Sequence, residues 1–253
     1  MTEDVTSDAF LDGRVMICQP RKGYRAATDP VFLAASVPAR PGAHVLELGC
    51  GVGVAALCLA ARVPGLDLTG VELQPDYAAL ARINAQRNRA TLSVIEADLA
   101  ALPADLRARR FDHVVANPPY YATATPPAQD AGRDRALREA TPLATWLDVA
   151  LRRCRDGGHV SIIHLAERLP DLLAGLAPRA SCMVLPLAAR AGRPARRVIV
   201  QARKGGRAPM VLLPPLIIHQ GDSHPGDGEF FTDRVRALMR DAGALDLAAM
   251  ARA

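Results

Sequence analysis

The sequence predicts an α/β protein in which one mostly parallel, seven-stranded sheet carries helices on both faces. Short apolar, β-branched segments alternate with segments of helical periodicity, and this alternation is typical of parallel strands joined by right-handed crossovers. A glycine-rich stretch follows the first of these strands, as in folds that bind a ligand at that point. The 253 residues, half of them apolar, suffice for one large domain.

The strands and helices can be placed along the chain. Five strands are predicted at 44–49, 66–73, 92–98, 111–117 and 158–165. Helices are predicted at 52–62, 75–88, 99–108, 141–153 and 166–176, and a last one opens at Thr232 or Asp233. Three late strand-like segments, CMVLPLA, RRVIVQARK and MVLLPPLIIHQ, are expected to complete the sheet as an antiparallel C-terminal edge.

Composition argues against several classes of protein. No apolar run approaches the roughly 20 residues that span a bilayer, and the acidic start MTEDVTSDAF is unlike a signal peptide. The five cysteines are odd in number and lack CxxC spacing. This argues against a disulfide framework and against a zinc site, and it fits a reducing compartment. We therefore expect a cytoplasmic protein with no metal and no membrane contact.

The net charge of +5 permits a polyanionic partner. Basic residues recur late in the chain, at 190, 193, 196, 197, 203, 204 and 207. Arg133, Arg135 and Arg138 lie in a polar, proline-started loop at 126–140. These side chains are either phosphate contacts or solvated turns.

The segment LELGCGVGVAAL combines the first strand, a glycine loop and the start of a helix. Gly49, Gly51 and Gly53 allow a tight turn and close approach to a ligand. Glu72 ends the next strand, where a carboxylate accepts both hydroxyls of a ribose. Asp98 ends the third strand and can accept from an adenine amine or cap a helix. With no basic residue for a diphosphate, the set favours an adenosine ligand without phosphates, such as S-adenosylmethionine.

The segment FDHVVANPPYY contains a rigid corner after the fourth strand. The two prolines lack N–H groups and hold Asn117 and Pro118 extended. The Asn117 side-chain oxygen and the Pro118 carbonyl can each accept a hydrogen bond from one N–H of a planar amine. These two bonds expose the lone pair of the amine nitrogen. Tyr120 can stack on the ring that carries the amine. The predicted catalytic set is Asn117, Pro118, Pro119 and Tyr120.

The order ELGCGVG, GVEL, EADL, NPPYY resembles the Rossmann-like class I S-adenosylmethionine-dependent N-methyltransferases that modify adenine or glutamine amines. QPRKGYRAATDPVFLAAS and the C-terminal strands resemble the bacterial tRNA1(Val) (adenine-37-N6)-methyltransferases. The resemblance implies that residues 1–41 cover the cofactor, that residues 42–253 form the methyltransferase domain of a single structural unit, and that S-adenosylhomocysteine is the product. The cofactor-binding residues it implies, together with those above, are Arg21, Lys22, Tyr24, Thr28, Asp29, Glu47, Gly49, Cys50, Gly51, Gly53, Glu72, Leu73, Ala97, Asp98 and Asn117. Asp29 also fits a helix N-cap.

Several functions are compatible with these motifs, two of them catalytic and differing in the acceptor of the methyl group. The first is methylation of the N6 amine of an adenine in structured RNA, most directly a tRNA anticodon loop, where an unpaired base enters a pocket at low cost. Its phosphates would contact Arg133, Arg135, Arg138, Arg193, Arg196 and Arg197. The alternative is protein glutamine N5 methylation of release factors, whose enzymes carry a helical domain before the glycine loop. The third possible function is that of a cofactor-binding fold that has lost catalysis and serves as an RNA or protein scaffold. The chain is expected to be a monomer or homodimer.

Overall fold

The computed structural model describes residues 5–122, 138–139, 141–223 and 230–252. Its strands are β1 (Val5–Phe10), β2 (Val15–Pro20), β3 (His44–Leu48), β4 (Asp67–Glu72), β5 (Leu92–Glu96), β6 (Phe111–Ala116), β7 (Tyr121–Ala122), β8 (Arg138–Glu139), β9 (Cys154–Leu165), β10 (Ala180–Ala188), β11 (Ala195–Lys204), β12 (Val211–Leu212) and β13 (Leu216–Ile217). Its helices are α1 (Asp29–Ser36), α2 (Val54–Arg62), α3 (Pro75–Arg87), α4 (Ala104–Ala108), α5 (Leu143–Arg153), α6 (Leu169–Leu176), α7 (Asp233–Arg240) and α8 (Leu247–Met250).

The central sheet confirms the predicted fold class. Within the described residues its long strands lie in the order β10-β11-β9-β6-β3-β4-β5, and the two-residue strands β12 and β13 both pair with β10. Strands β3, β4, β5, β6 and β9 are parallel. The predicted strands at 44–49, 66–73, 92–98, 111–117 and 158–165 are therefore confirmed as one doubly wound sheet.

The predicted antiparallel C-terminal edge is confirmed: β11 runs against both of its neighbours, β9 and β10. Strand β10 itself is parallel to the rest of the sheet. The segment MVLLPPLIIHQ forms two short strands, separated at Pro214 and Pro215, because proline has no N–H to contribute to a ladder.

The core lies on both faces of the sheet because successive strand residues point to opposite sides. Val45 packs in the cluster with α1, α2 and α7, whereas its neighbour Leu46 packs in the cluster with α4, α5 and α6. Phe32 and Leu33 of α1 are fully buried in the first cluster. The described helices include none long and apolar enough to cross a membrane.

The N-terminal hairpin of β1 and β2 was not predicted. Its turn places Leu11, Asp12 and Gly13 at positive φ, and the Asp-Gly pair is a known hairpin signal that the sequence carries. Two amides at the end of α3, in Asn84 and the C-cap residue Asn88, hold strand β2. Asn84 exchanges hydrogen bonds with the N–H and C=O of Cys18, at 2.7 and 3.0 Å, and Asn88 does so with Met16, at 2.8 Å each. The hairpin is thereby attached to the main sheet's helical layer.

Helix α1 begins at Asp29, so Thr28 occupies the N-cap position and makes no side-chain capping bond. Asp29 therefore lies in the first turn, and the N-cap alternative for Asp29 was wrong. The last predicted helix, expected to open at Thr232 or Asp233, is confirmed as α7. Thr232 caps it by accepting from the Val235 N–H at 3.4 Å.

Candidate active site

A cavity of about 330 Å³ opens at the carboxyl ends of β3 and β6. These strands are neighbours in the sheet, yet the chain leaves β3 toward β4 and returns to its other side as β6. A crevice forms at such a switch point because the following loops run to opposite sides. The cavity is bordered by residues 24–27, 29 and 30, by the loops after β3, β4, β5 and β6, by helix α5 and by strand β11.

The glycine loop forms one wall of the cavity. Gly49, Gly51 and Gly53 have φ values of 63°, 55° and 88°, which other residues rarely adopt. A Cβ on Gly49 would lie 2.5 Å from the ring of Trp146, whereas one on Gly51 would meet nothing within 4 Å. The backbone thus faces open space at Gly51, where a ligand can approach it closely.

Glu72 lies behind this loop and is 7% exposed. One carboxylate oxygen accepts from the Gly51 N–H at 2.8 Å and the other from the Gln74 N–H at 2.9 Å. Burial raises the pKa of Glu72, and these backbone N–H groups act in the opposite direction. The carboxylate of Glu72 borders the cavity.

Glu47, at the end of β3, is a second buried acid on the cavity wall. Its carboxylate accepts from the Ala56 N–H of α2 at 2.9 Å. Burial, reinforced by the charge of Glu72, raises the pKa of Glu47 to about 8. Burial thus favours the protonated form of Glu47.

Asp98 and Leu73 form the outer part of the cavity wall. Asp98 accepts from the Ala100 N–H at 2.8 Å, so it does cap the short 3₁₀ turn Leu99–Ala101, and it borders the cavity as well. Leu73 is 54% exposed although it is apolar. An exposed leucine at a cavity rim offers a surface on which a flat apolar group can pack.

Asn117 and Pro118 directly follow β6, the strand paired with β3, and both border the cavity. The Asn117 Nδ2 donates to the hydroxyl of Tyr24 at 3.5 Å, and the Oδ1 is buried with no hydrogen-bond partner among the described residues. Tyr24 is fixed in turn, because its N–H donates to the Tyr77 hydroxyl at 3.0 Å. An unpartnered buried acceptor is costly, so a donor from a ligand is the natural occupant.

Tyr120 ends the proline corner and is tied to α1. Its hydroxyl donates to one carboxylate oxygen of Asp29, and the guanidinium of Arg197 donates to the other. Arg25, the other cationic side chain that borders the cavity in the described structure, pairs with Asp8 at 2.6 Å. Both cations are thus neutralised by carboxylates, an environment that does not favour a diphosphate.

Comparison with known proteins gives the family. A model of the methyltransferase small domain matches residues 27–133. A tRNA1(Val) (adenine(37)-N6)-methyltransferase of Porphyromonas gingivalis is 32% identical over 175 residues, which cover 66% of this chain and 68% of the relative. The chain belongs to this methyltransferase family. A relative of the same description from Dickeya chrysanthemi is 29% identical and covers 95% of this chain and 96% of its own length.

Solved structures agree on the class I methyltransferase fold. A predicted O-methyltransferase from Agrobacterium tumefaciens has a TM-score of 0.70 and 26% identity, and the match covers 86% of this chain and 98% of that one. A 16S rRNA N2 G1207 methyltransferase from T. thermophilus, solved with AdoMet and guanosine, has a TM-score of 0.53 at 18% identity, covering 79% and 50% of the two chains. The fold implies that this methyltransferase uses S-adenosylmethionine.

The structure of the methyltransferase brings most of the predicted site residues to one cavity. Those that border it are Tyr24, Asp29, Glu47, Gly49, Cys50, Gly51, Glu72, Leu73, Ala97, Asp98, Asn117, Pro118, Pro119 and Tyr120. Arg21, Lys22, Thr28 and Gly53 do not border it. Arg21 and Lys22 are exposed, and Gly53 is buried behind the loop against Leu92 and Ala81.

The cavity residues of the methyltransferase that the sequence analysis missed include Arg25, Tyr77, Trp146 and Arg197. Trp146, the only tryptophan of the chain, reaches the cavity from α5 and donates from Nε1 to the Thr141 carbonyl at 3.2 Å. Arg197 was expected to bind phosphate instead. Residues alternate along β11, so Arg197 points toward Asp29 while Arg196 is exposed.

The remaining basic residues divide between two ends of the methyltransferase sheet. Arg197 pairs in register with Leu165, at the carboxyl end of β9, and Arg203 pairs with His159 near its start. Arg193 and Arg196 therefore lie at the cavity end, and Arg203, Lys204 and Arg207 at the other, away from the site. Arg133 and Arg135 lie outside the described residues, and Arg138 lies in the short strand β8.

Proposed function

We propose that this methyltransferase transfers the methyl group of S-adenosylmethionine to the exocyclic N6 amine of an adenine in structured RNA, and that the substrate is a tRNA anticodon-loop adenosine. The observation that carries the proposal is the Oδ1 atom of Asn117, which is buried at the cavity without a hydrogen-bond partner among the described residues. An exocyclic amine supplies the donor that this oxygen lacks.

The residues at the cavity fit S-adenosylmethionine, which when bound supplies an electrophilic methyl group. Glu72, whose carboxylate borders the cavity, would accept from the ribose hydroxyls, and Asp98 would accept from the adenine amine. Leu73 and Ala97 would pack on the adenine. The open space at Gly51 and the pairing of both cavity cations support a ligand that carries no phosphate.

The proline corner supplies the chemistry on the acceptor side. An amine attached to an aromatic ring is a weak nucleophile because its lone pair is delocalised into the ring. When the Asn117 Oδ1 and the Pro118 carbonyl accept its two N–H groups, the nitrogen moves toward tetrahedral geometry and its lone pair becomes available. Tyr120 stacks on the ring and Pro119 keeps the corner rigid, so positioning and fixed dipoles carry most of the rate.

The choice of RNA rests on two further points. The relatives from Porphyromonas gingivalis and Dickeya chrysanthemi are described as acting on adenine 37 of tRNA1(Val). Arg193 and Arg196 are exposed at the cavity end of the sheet, where they can bind the phosphates around a base that enters the cavity. An unpaired loop base enters at little cost in stacking.

The test is incubation with methyl-labelled S-adenosylmethionine and separate pools of tRNA, rRNA, DNA and release factors, followed by nucleoside analysis. We expect label in tRNA as N6-methyladenosine. Label in protein alone would replace the proposal with glutamine N5 methylation, which the same amide geometry can catalyse.

A further inference from the structure

The Asp29 carboxylate connects the proline corner to strand β11. Its Oδ2 atom accepts from the Tyr120 hydroxyl and its Oδ1 atom accepts from Arg197, although the three residues lie on α1, after β6 and on β11. The Asp29 side chain is 13% exposed and that of Arg197 is 28% exposed. A carboxylate so far removed from water needs a fixed counter-charge, and Arg197 provides it.

The ring of Tyr120 is also held from its side. The fully buried ring of His164 lies 5.3 Å from it, centroid to centroid, at an interplanar angle of 54°. The Nδ1 atom of His164 accepts from the Leu165 N–H at 2.8 Å, which fixes the imidazole in turn. Tyr120 is therefore constrained at its hydroxyl by Asp29 and at its ring by His164.

We propose that Arg197 is a positioning residue for methyl transfer: it fixes the Asp29 carboxylate, and through it the orientation of the Tyr120 ring on which the acceptor base stacks. This inference rests on the proposed function, because the ring orientation matters only if a planar acceptor packs on it. The plane of Tyr120 then sets the plane of the base, and a small rotation would move the amine away from the Asn117 Oδ1.

Arg197 borders the cavity, so it has two alternative roles. As a direct contact to an RNA phosphate it would contribute to the salt dependence of RNA binding. As a contact to the carboxylate of the cofactor's methionine it would contribute to cofactor affinity. Neither the phosphate contact nor the cofactor contact depends on the Tyr120 hydroxyl, whereas the positioning role requires that hydroxyl. A double-mutant cycle at Arg197 and Tyr120 therefore distinguishes the positioning role from the other two.

The experiment combines Arg197→Met and Arg197→Lys with Tyr120→Phe and measures single-turnover methyl transfer to an adenine-containing anticodon stem-loop. We expect Arg197→Met and Tyr120→Phe each to slow transfer roughly 10- to 100-fold, the range for a misoriented reacting group. The double variant should lie within about twofold of Tyr120→Phe alone. Arg197→Lys, which keeps the charge, should recover part of the rate.

Three further measurements make the outcome decisive. Cofactor affinity, followed through the fluorescence of Trp146, and the salt slope of stem-loop binding should stay unchanged in Arg197→Met. The matched control is Arg203→Met, at the far end of the same strand, which should transfer at the wild-type rate. Thermal unfolding reports whether each variant folds.

Independent, additive effects of Arg197→Met and Tyr120→Phe would overturn the inference, as would a reduced salt slope, a weaker cofactor affinity or a wild-type rate in Tyr120→Phe. Failure of the wild-type chain to methylate the stem-loop contradicts the proposed function instead. The cycle is then measured with the acceptor that becomes labelled in the pools, and additivity there overturns the inference in the same way.

Discussion

The hydroxyl of Tyr24 accepts a hydrogen bond from the Nδ2 atom of Asn117 at 3.5 Å, and this contact decides which end of the amide faces an acceptor. Tyr24 and Asn117 are 93 residues apart in the chain. Because the nitrogen end is turned to Tyr24, the oxygen end is available to accept from an amine. Burial raises the pKa of Tyr24 to about 12, so its hydroxyl stays protonated throughout the physiological range.

Asn117→Ala should abolish most methyl transfer while leaving cofactor affinity nearly unchanged. Removing one preorganised polar group that stabilises a transition state costs on the order of 10²–10³ in rate. Single-turnover rates on the anticodon stem-loop provide the measurement, and calorimetry with S-adenosylmethionine is the control. A smaller effect is expected for Tyr24→Phe, which removes only the group that orients the amide. Near-wild-type transfer by Asn117→Ala would falsify the mechanism.

Glu72→Ala should weaken binding of S-adenosylmethionine. A hydrogen bond to a charged group contributes roughly 1.5–3 kcal/mol, and Glu72 also fixes the backbone N–H groups of Gly51 and Gln74. The matched control is Glu96→Ala, because Glu96 lies beside Glu72 in the register of β4 and β5 but is exposed and does not border the cavity. Equal calorimetric affinities for the two variants would remove Glu72 from the cofactor site.

Reversing Arg193 and Arg196 to Glu should weaken tRNA binding, because these side chains lie at the cavity end of the sheet. The slope of log affinity against log salt should become shallower by roughly 0.7–0.9 for each phosphate that the variant no longer neutralises. Reversing Arg203 and Arg207 changes the net charge equally but at the opposite end of the sheet. If both double variants bind tRNA equally weakly, the charge of the whole protein, and not a local surface, attracts the RNA.

Glu47→Gln should change how the stability of the cofactor-free enzyme depends on pH. The pKa of Glu47 is about 8 in the folded chain, above its ordinary value of 4.5. The stability that depends on its bound proton is therefore fully present below about pH 4.5 and is lost as the pH rises through about 8. Gln keeps an acceptor for the Ala56 N–H and never ionises. The melting temperature of the variant, relative to the natural chain, should rise between about pH 5 and about pH 8.5; a constant difference would contradict the assignment.

The sequence predicted the features that depend on local order along the chain. Glycines after a strand, acidic residues at strand ends and Asn117 before two prolines each reach the cavity because carboxyl ends of parallel strands share one edge of a sheet. That rule needs no knowledge of side-chain contacts, and it located Glu72, Asp98 and the proline corner correctly at the cavity.

Contacts that depend on the direction and register of distant strands were not predictable in this way. Arg197 reaches Asp29 only because β11 runs antiparallel and starts at the cavity end of the sheet. Residues of a strand alternate between its two faces, so Arg197 shares a face of β11 with Ile199 and Gln201, but this alternation does not tell where β11 lies in the sheet. The position of Trp146 could not be predicted for the same reason. The helix at 141–153 was predicted, but the proximity of Trp146 to Gly49 depends on how α5 packs on the sheet.

The amides of Asn84 and Asn88 give the N-terminal hairpin a property that its own backbone lacks. A two-stranded sheet has unpaired N–H and C=O groups on its outer edges, and such an edge can recruit a strand from another molecule. At Met16 and Cys18 these groups are already bonded to the two amides, which lie one helical turn apart at the end of α3 and its C-cap and match the two-residue repeat of the strand. This edge of β2 is consequently protected against strand addition by the protein's own side chains.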